Sequence, residues 1–584
     1  MFGGVGLKTH VEVGIDNLLA DPAPIAGKRI GLITNPSGVT SGGVPTWKAL
    51  FESKDTRLVR LFGPEHGVDG GAIYMEPVGN AVHAPTGLPS VSLYGAARDS
   101  LKPHREDLAD LDAVVFDVAD VGARYYTYIW TMMLAMEACA EAGKKLVVCD
   151  RANPIGGETE GTPQDEGYLS FVGMHPVAVR HGMTAGEMAR LLAAEKNLDV
   201  DLNVCQMSGW ARDVDFSATG LPWVSPSPNI PSPATALVYP GMCLLEGTNL
   251  SEGRGTTRPF EIFGAPWLDA VAFAEKLNAL DLPGVSFLPV HFRPMFDKHA
   301  GETVGGAMMH VTNPRQRYGS QPEPRRTPGP GANRSGFRSF ETGMRVIETA
   351  RRLDSRRFRW RTEPYEFDSR PAIDLLTGSS RYRELVEAGG DLAPEIERHD
   401  AGAREFLSRR EPYLIYPDRK PAAVAFVGGH DSGKTTLIVE LVPWLTARGL
   451  KIGTIKHSSK DAEDDVTGKD SHLHATSGAA VSAFVTPARE TARRFGQEER
   501  LEDLLARDFS DCDLVLIEGF KFLPVPKIEV TRARASRPRI EGVLARVSDQ
   551  PPEDSLPTHA FADVQAIVNT VLRLAGLDRT VRKP

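Results

Sequence analysis

Short apolar runs recur along the first half of the chain, each followed by a turn rich in Gly, Pro, Asn or Asp and then by a segment of helical periodicity. The runs Arg29 to Thr34, Arg57 to Phe62, Ala113 to Asp117 and Lys145 to Cys149 do not alternate apolar with polar residues. As strands they need cover on both faces. Val44 to Ser53 and Trp130 to Ala142 read as helices. Strand, turn and helix in repetition predict α/β architecture. The pattern breaks at 314–336, PRQRYGSQPEPRRTPGPGANRSG, where five arginines stand against one glutamate. That stretch reads as a disordered, solvated insertion, and the β-like GGAMMHVTN before it and helical ETGMRVIETARRL after it belong to one α/β unit. Tyr416 to Pro421 (YPDRKP) is a polar linker, after which the strand and helix grammar restarts.

Composition narrows the class. A chain of 584 residues accommodates three or four structural units at about 100–200 residues each. A net charge of −9 gives no case for a nucleic-acid partner. Five cysteines without a CxxC pair suggest neither a disulfide framework nor a zinc ribbon, and they read as buried thiols in a reducing compartment. The N-terminus lacks a basic segment followed by an apolar one, and no run approaches the roughly 18 apolar residues of a membrane span. The expectation is a cytoplasmic protein without membrane partners.

The most specific motif lies after the linker. Ala422 to Val427 reads as a buried strand, followed by GGHDSGKTT and an amphipathic stretch, LIVELVPWLTARG, that forms a helix despite Pro443. This is GxxxxGK[ST] in its required context. Gly428, Gly429, His430, Asp431, Ser432 and Gly433 would curl their amides around a phosphate. Lys434 would reach the terminal phosphates, with Thr435 and Thr436 opening the helix. Further on, DLVLIEG (Asp513 to Gly519) reads as a strand ending in Glu518, and Thr435 with Glu518 would hold Mg²⁺. The predicted fold is therefore α/β with a Rossmann-like part over 1–205, a smaller α/β subdomain over 206–416, and a separate P-loop NTPase domain over 422–584.

In open α/β sheets ligands bind beyond the carboxyl ends of the strands. Four strand ends here deliver polar groups: Asn35; Glu65 and His66; Asp117, Asp120, Arg124 and Tyr128; Asp150, Arg151 and Asn153. Asp and Asn also cap helices and shape turns. Glu65, between Pro64 and His66 in a glycine-flanked turn, has poor capping chemistry and is the first candidate for catalysis, with His66 and Asp120 beside it. A second polar stretch, Trp223 to Trp267, adds Asn229, Glu246, Asn249, Glu252 and Arg254. Trp223 and Trp267 are core residues or sugar platforms. Several carboxylates among hydroxyl-binding loops, without GxSxG, HExxH or an early GxGxxG, fit glycoside hydrolysis with no cofactor.

These residues carry two resemblances. LITNPSG, FGPEHG, FDVADVGARYYTYIWTM, DRANPIGG, PSPNIP and EGTNLSEGRGTTRPFEIFGAPW resemble the NamZ-type exo-β-N-acetylmuramidases, from about Val11 to Tyr416. That implies removal of N-acetylmuramic acid from the non-reducing ends of peptidoglycan fragments, in a cleft between two subdomains. Glu65 is then first choice for general acid, and Arg124 or Arg254 for the lactyl carboxylate. GGHDSGKTTL, TIKH, GKDS, DLVLIEGFK and PKIEV resemble the MobB-type protein of molybdopterin guanine dinucleotide synthesis. That implies a GTP-binding domain, often a homodimer, assisting the guanylyltransferase; no NKxD guanine motif stands in the chain, so GTP rests on the resemblance. The leading expectation is a fusion of hydrolase and adapter. The alternative is a silent glycan-binding module joined to a nucleotide switch.

Overall fold

The computed structural model describes residues 11–577 except 74, 215, 313–335, 418–420, 430, 457–480, 487–488, 495–500, 502–503, 506–508, 510–511, 520, 522–524, 533–539 and 552–553. All but the last residue of the expected insertion lies outside the described residues. The described chain falls into two compact units, one ending at Tyr416 and the next beginning at Pro417.

The first unit is built on seven strands: β1 (Arg29–Thr34), β2 (Arg57–Gly63), β3 (Ala81–His83), β4 (Leu88–Ser92), β5 (Ala113–Asp117), β6 (Lys145–Cys149) and β7 (Asp201–Cys205). Their order is β3-β4-β2-β1-β5-β6-β7, parallel throughout except for β3 against β4. The central strands are apolar because both faces are covered; all five residues of β5 are buried. The chain leaves β1 toward β2 on one side and returns to β5 on the other. The loops after β1 and β5 therefore part and open a crevice at the carboxyl edge.

Three further strands, β8 (Ile262–Ala265), β9 (Val285–Phe292) and β10 (Val304–Val311), form an antiparallel sheet in the order β8-β10-β9. One contiguous core joins the two sheets, running from Ile33 and Phe116 through Phe263 and Phe273 to Ile347 and Phe406. Gly241, in the helix Pro233–Met242, allows the helix Ser339–Leu353 to approach backbone to backbone, since a Cβ there would lie 1.8 Å from the Ser339 carbonyl oxygen. That crossing fixes the segment carrying Glu246 just downstream.

The second unit contains β11 (Ala422–Val427), β12 (Ile452–Lys456), β13 (Val481–Thr486), β14 (Arg489–Arg494), β15 (Leu514–Glu518), β16 (Lys527–Thr531), β17 (Val543–Ser548) and β18 (Thr558–His559). Six of them make a parallel sheet, β12-β15-β11-β16-β17-β18, and β13 pairs with β14. The helix Lys434–Thr446 follows β11 and includes Pro443. Among the described residues no helix is long and apolar enough to cross a membrane.

Among the described residues no cysteine forms a disulfide, and Cys139, Cys149 and Cys243 are buried. Cys205 and Cys512 are partly exposed, the former because β7 is the edge of its sheet.

Candidate active site and phosphate loop

Glu65 and His66 leave β2 in a tight turn closed by the Gly67 amide donating to the Pro64 carbonyl at 2.8 Å. His66 takes a left-handed backbone (φ 70°), and its ring Nδ1 bonds the Ala72 carbonyl at 2.8 Å. The turn aims the Glu65 carboxylate at the start of the helix Tyr128–Ala142, where the Thr127 hydroxyl donates to its Oε2 at 2.8 Å. Glu65 therefore stands at the positive end of a long helix dipole.

That carboxylate borders a cleft of about 430 Å³ together with His66, Tyr126, Thr127, Asn229, Glu246, Arg254, Phe260 and Glu366. Arg254 donates to Glu246 at 2.7 Å and stands 3.2 Å from Glu252, which also meets Lys298 at 2.9 Å. Burial opposes the charge of Glu246, but the Arg254 guanidinium, Lys298 and the Tyr365 hydroxyl outweigh it and hold that carboxyl below the usual range. Glu366 is the opposite case. Burial, then the Glu65 charge, push its carboxyl well above the usual range despite a 2.9 Å hydrogen bond from the Tyr94 hydroxyl. One cleft thus brings Glu65 together with a carboxyl held low by its cation and a carboxyl pushed high by burial, the divergence on which acid–base chemistry draws.

The remaining expected residues separate into groups. Asn35 and Tyr128 both donate to the Pro226 carbonyl, at 2.9 and 2.8 Å, and so pin the loop that carries Asn229. Asp120 does not share the Glu65 cleft: the Gly122 amide at 2.7 Å and His181 at 3.2 Å hold it in a neighbouring cavity with Arg151 and Trp223. Asp117 is fully buried, its two oxygens taken by Arg151 at 2.6 and 2.7 Å and by Thr46. Asp150 is likewise enclosed, accepting from Thr184, Tyr416, Gly186 and Arg151.

Arg124 is also buried, and its guanidinium is spent on the carbonyls of Thr162, Val177 and Leu376, so it does not reach the cleft as a lactyl ligand would have to. Asn249 is engaged by the backbone of Arg357 and Arg359, away from both cavities. Trp267 packs against the core. Glu366 was not anticipated, because EPYEFDSRP offers neither a glycine-flanked turn nor a periodic pattern to mark it.

In the second unit the described residues of the GxxxxGK[ST] motif lead from β11 into the helix Lys434–Thr446. Gly433 adopts φ 94°, a left-handed value suited to glycine, immediately before the helix. Lys434 arches back over the loop, its Nζ donating to the Gly429 carbonyl at 2.6 Å and standing 3.2 Å from the Ser432 hydroxyl. Thr435 donates to Glu518 at 2.7 Å, where β15 runs beside β11. A hydroxyl and a carboxylate oxygen at a phosphate loop are hard ligands that suit Mg²⁺. His430 lies outside the described residues.

Comparison with known proteins finds relatives of both units. Residues 30–234 match "Exo-beta-N-acetylmuramidase NamZ, N-terminal", 237–416 the C-terminal part of the same family, and 423–549 "Molybdopterin guanine dinucleotide synthesis protein B". The peptidoglycan β-N-acetylmuramidase NamZ of Bacillus subtilis is 42% identical over 411 residues, covering 70% of this chain and 92% of that protein. The molybdopterin-guanine dinucleotide biosynthesis adapter protein of Escherichia coli is 34% identical over 158 residues, 26% of this chain and 90% of the relative. A DUF1343 family protein from Bacteroides fragilis superposes with a TM-score of 0.61 at 34% identity, covering 70% of this chain and 99% of that one. With the Glu65 cleft in one unit and the phosphate loop in the other, the chain belongs to the NamZ exo-β-N-acetylmuramidase family and carries, in the same polypeptide, a domain of the MobB family.

Proposed function

We propose that the unit ending at Tyr416 hydrolyses the terminal N-acetylmuramic acid from the non-reducing end of peptidoglycan fragments. The observation that carries this reading is the convergence of Glu65, Glu246 and Glu366 on one cleft, with Glu65 at a helix N-terminus and Glu246 fixed by Arg254. Glycoside cleavage needs one carboxyl to protonate the leaving oxygen and a carboxylate to stabilise or relay water to the oxocarbenium-like carbon. Glu65 belongs to that pair. Release of free N-acetylmuramic acid from a 4-nitrophenyl muramide and from a muramyl disaccharide tests the proposal, and no release from either would overturn it. The silent glycan-binding alternative predicts binding without release.

For the second unit the reading is a nucleotide-binding adapter, taking GTP with Mg²⁺ and assisting guanylyl transfer to molybdopterin. Lys434 would meet the terminal phosphates, and Thr435 with Glu518 would hold the ion, which when bound offsets phosphate charge. The same proposal includes pairing of two such domains and residence in the cytoplasm. Lys434→Ala in the full chain is expected to weaken binding of a fluorescent GTP analogue with Mg²⁺ by roughly tenfold or more, because a charge-assisted contact is lost. Unchanged affinity in a fluorescence titration would remove the phosphate loop from the nucleotide site.

A further inference from the structure

The turn that carries Glu366 is unusual for its sequence. Tyr365 and Asp368 exchange both backbone hydrogen bonds, at 2.8 and 3.0 Å, around the two residues Glu366 (φ 46°) and Phe367 (φ 67°). Two positive φ angles in a two-residue loop make a type I′ turn, a geometry that favours Asn-Gly and penalises Glu-Phe. His66 (φ 70°) and Phe260 (φ 63°) are strained in the same sense and border the same cleft. Left-handed backbone at non-glycine residues concentrates where function requires it.

The surroundings show what the strain secures. Phe367 lodges edge-on against Tyr94 (5.7 Å) and Phe171 (6.0 Å), which anchors the turn. Tyr94 then donates its hydroxyl to Glu366 Oε2, which fixes one oxygen of the carboxyl. Glu366 is 4% exposed and borders the cleft with Glu65, which has the Thr127 hydroxyl and the helix N-terminus for company.

We infer that Glu366 is a second catalytic carboxyl of this cleft and the one that protonates the glycosidic oxygen, with Glu65 its ionised partner. This rests on the hydrolase reading above and moves the general-acid role from Glu65 to Glu366. The C1–O bond breaks as the Glu366 proton passes to the departing oxygen, which leaves as a hydroxyl of the shortened glycan. Water adds to C1, and its proton goes to the Glu65–Glu366 pair, which regains the single proton it began with. Charged and titratable groups facing Glu366 are Glu65, Tyr94, Glu246 and Arg254. Its carboxyl is raised by burial and by the Glu65 charge, so the acid is present at low pH and lost as pH climbs through the raised value. The Glu366 limb is therefore the basic one.

The test compares Glu366→Gln with the native chain on two muramides. A nitrophenolate leaves without protonation and a sugar alkoxide does not, so loss of a general acid, worth about 10²–10⁴-fold, falls on the disaccharide. We expect Glu366→Gln to lose at least a hundredfold more on the disaccharide than on the nitrophenyl muramide, and to lose the basic limb of the nitrophenyl pH profile. Glu65→Gln should lose both substrates together. Equal losses on both substrates with the basic limb intact, or undiminished disaccharide turnover, would overturn the assignment. If Glu366→Gln does not fold, Glu366→Asn serves, since Asn tolerates the left-handed backbone. It should raise the melting temperature while showing the same substrate split; a lowered melting temperature with no split would count against the proposal. A native chain that cleaves neither muramide fails at the hydrolase reading instead, a result separable from every variant outcome.

Discussion

Glu65→Gln is expected to lower turnover of a chromogenic muramide by about a thousandfold or more while leaving the fold intact. The amide keeps the shape of the side chain, and its oxygen still accepts from the Thr127 hydroxyl that holds the carboxylate at 2.8 Å. What disappears is the negative charge, at a point of the cleft where a helix N-terminus favours it. Glu246 cannot substitute, because its charge is committed to Arg254 at 2.7 Å and to the Tyr365 hydroxyl. Burial, then the Glu65 charge, push the Glu366 carboxyl above the usual range, so neutralising Glu65 also removes one of the two influences that set Glu366 apart. The loss should appear in kcat on activated and unactivated substrates alike, with an unchanged thermal melt. Turnover within tenfold of the native value would remove Glu65 from the reaction.

Legibility followed the physical origin of each feature. Strands buried on both faces must be apolar without alternation, so β1, β5 and β6 were found at their full bounds and β2 to within one residue. The phosphate loop was legible because its chemistry demands glycines, a lysine and a hydroxyl at fixed spacing. Glu65 stood out because a glutamate is chemically misplaced in a Pro-His-Gly turn. The limits arise from contacts distant in sequence. Arg124 reads like an anion ligand until the carbonyls of Thr162, Val177 and Leu376 consume it. Asp120 reads as a neighbour of Glu65, yet His181, some sixty residues on, holds it in the neighbouring cavity. Glu366 was silent because its turn violates the residue preferences by which such turns are found.

Arg151→Met is expected to destabilise this unit severely, although the motif around it looks like part of a binding site. Asp117 ends β5 in the middle of the sheet with no exposure, and Arg151 satisfies it through two hydrogen bonds at 2.6 and 2.7 Å while a third joins the Val39 carbonyl at 2.7 Å. Methionine fills much of the arginine stem but supplies no charge, so Asp117 is left as an enclosed carboxylate with only the Thr46 hydroxyl for company. Removing one partner of such a pair costs about 3–5 kcal/mol. At about 2 cal/mol/K per residue, a cooperative unit of some 400 residues loses roughly 4–6 °C in melting temperature. Replacing both partners, Asp117→Asn with Arg151→Met, should recover part of that loss, because the buried charge goes with its counterion. A substrate ligand would behave otherwise: Arg151→Met would raise KM at an unchanged melting temperature, and the second substitution would restore nothing. Calorimetry of the two variants, with KM for the muramide measured well below either melt, separates the two roles, and a raised KM without thermal loss would return Arg151 to the binding site.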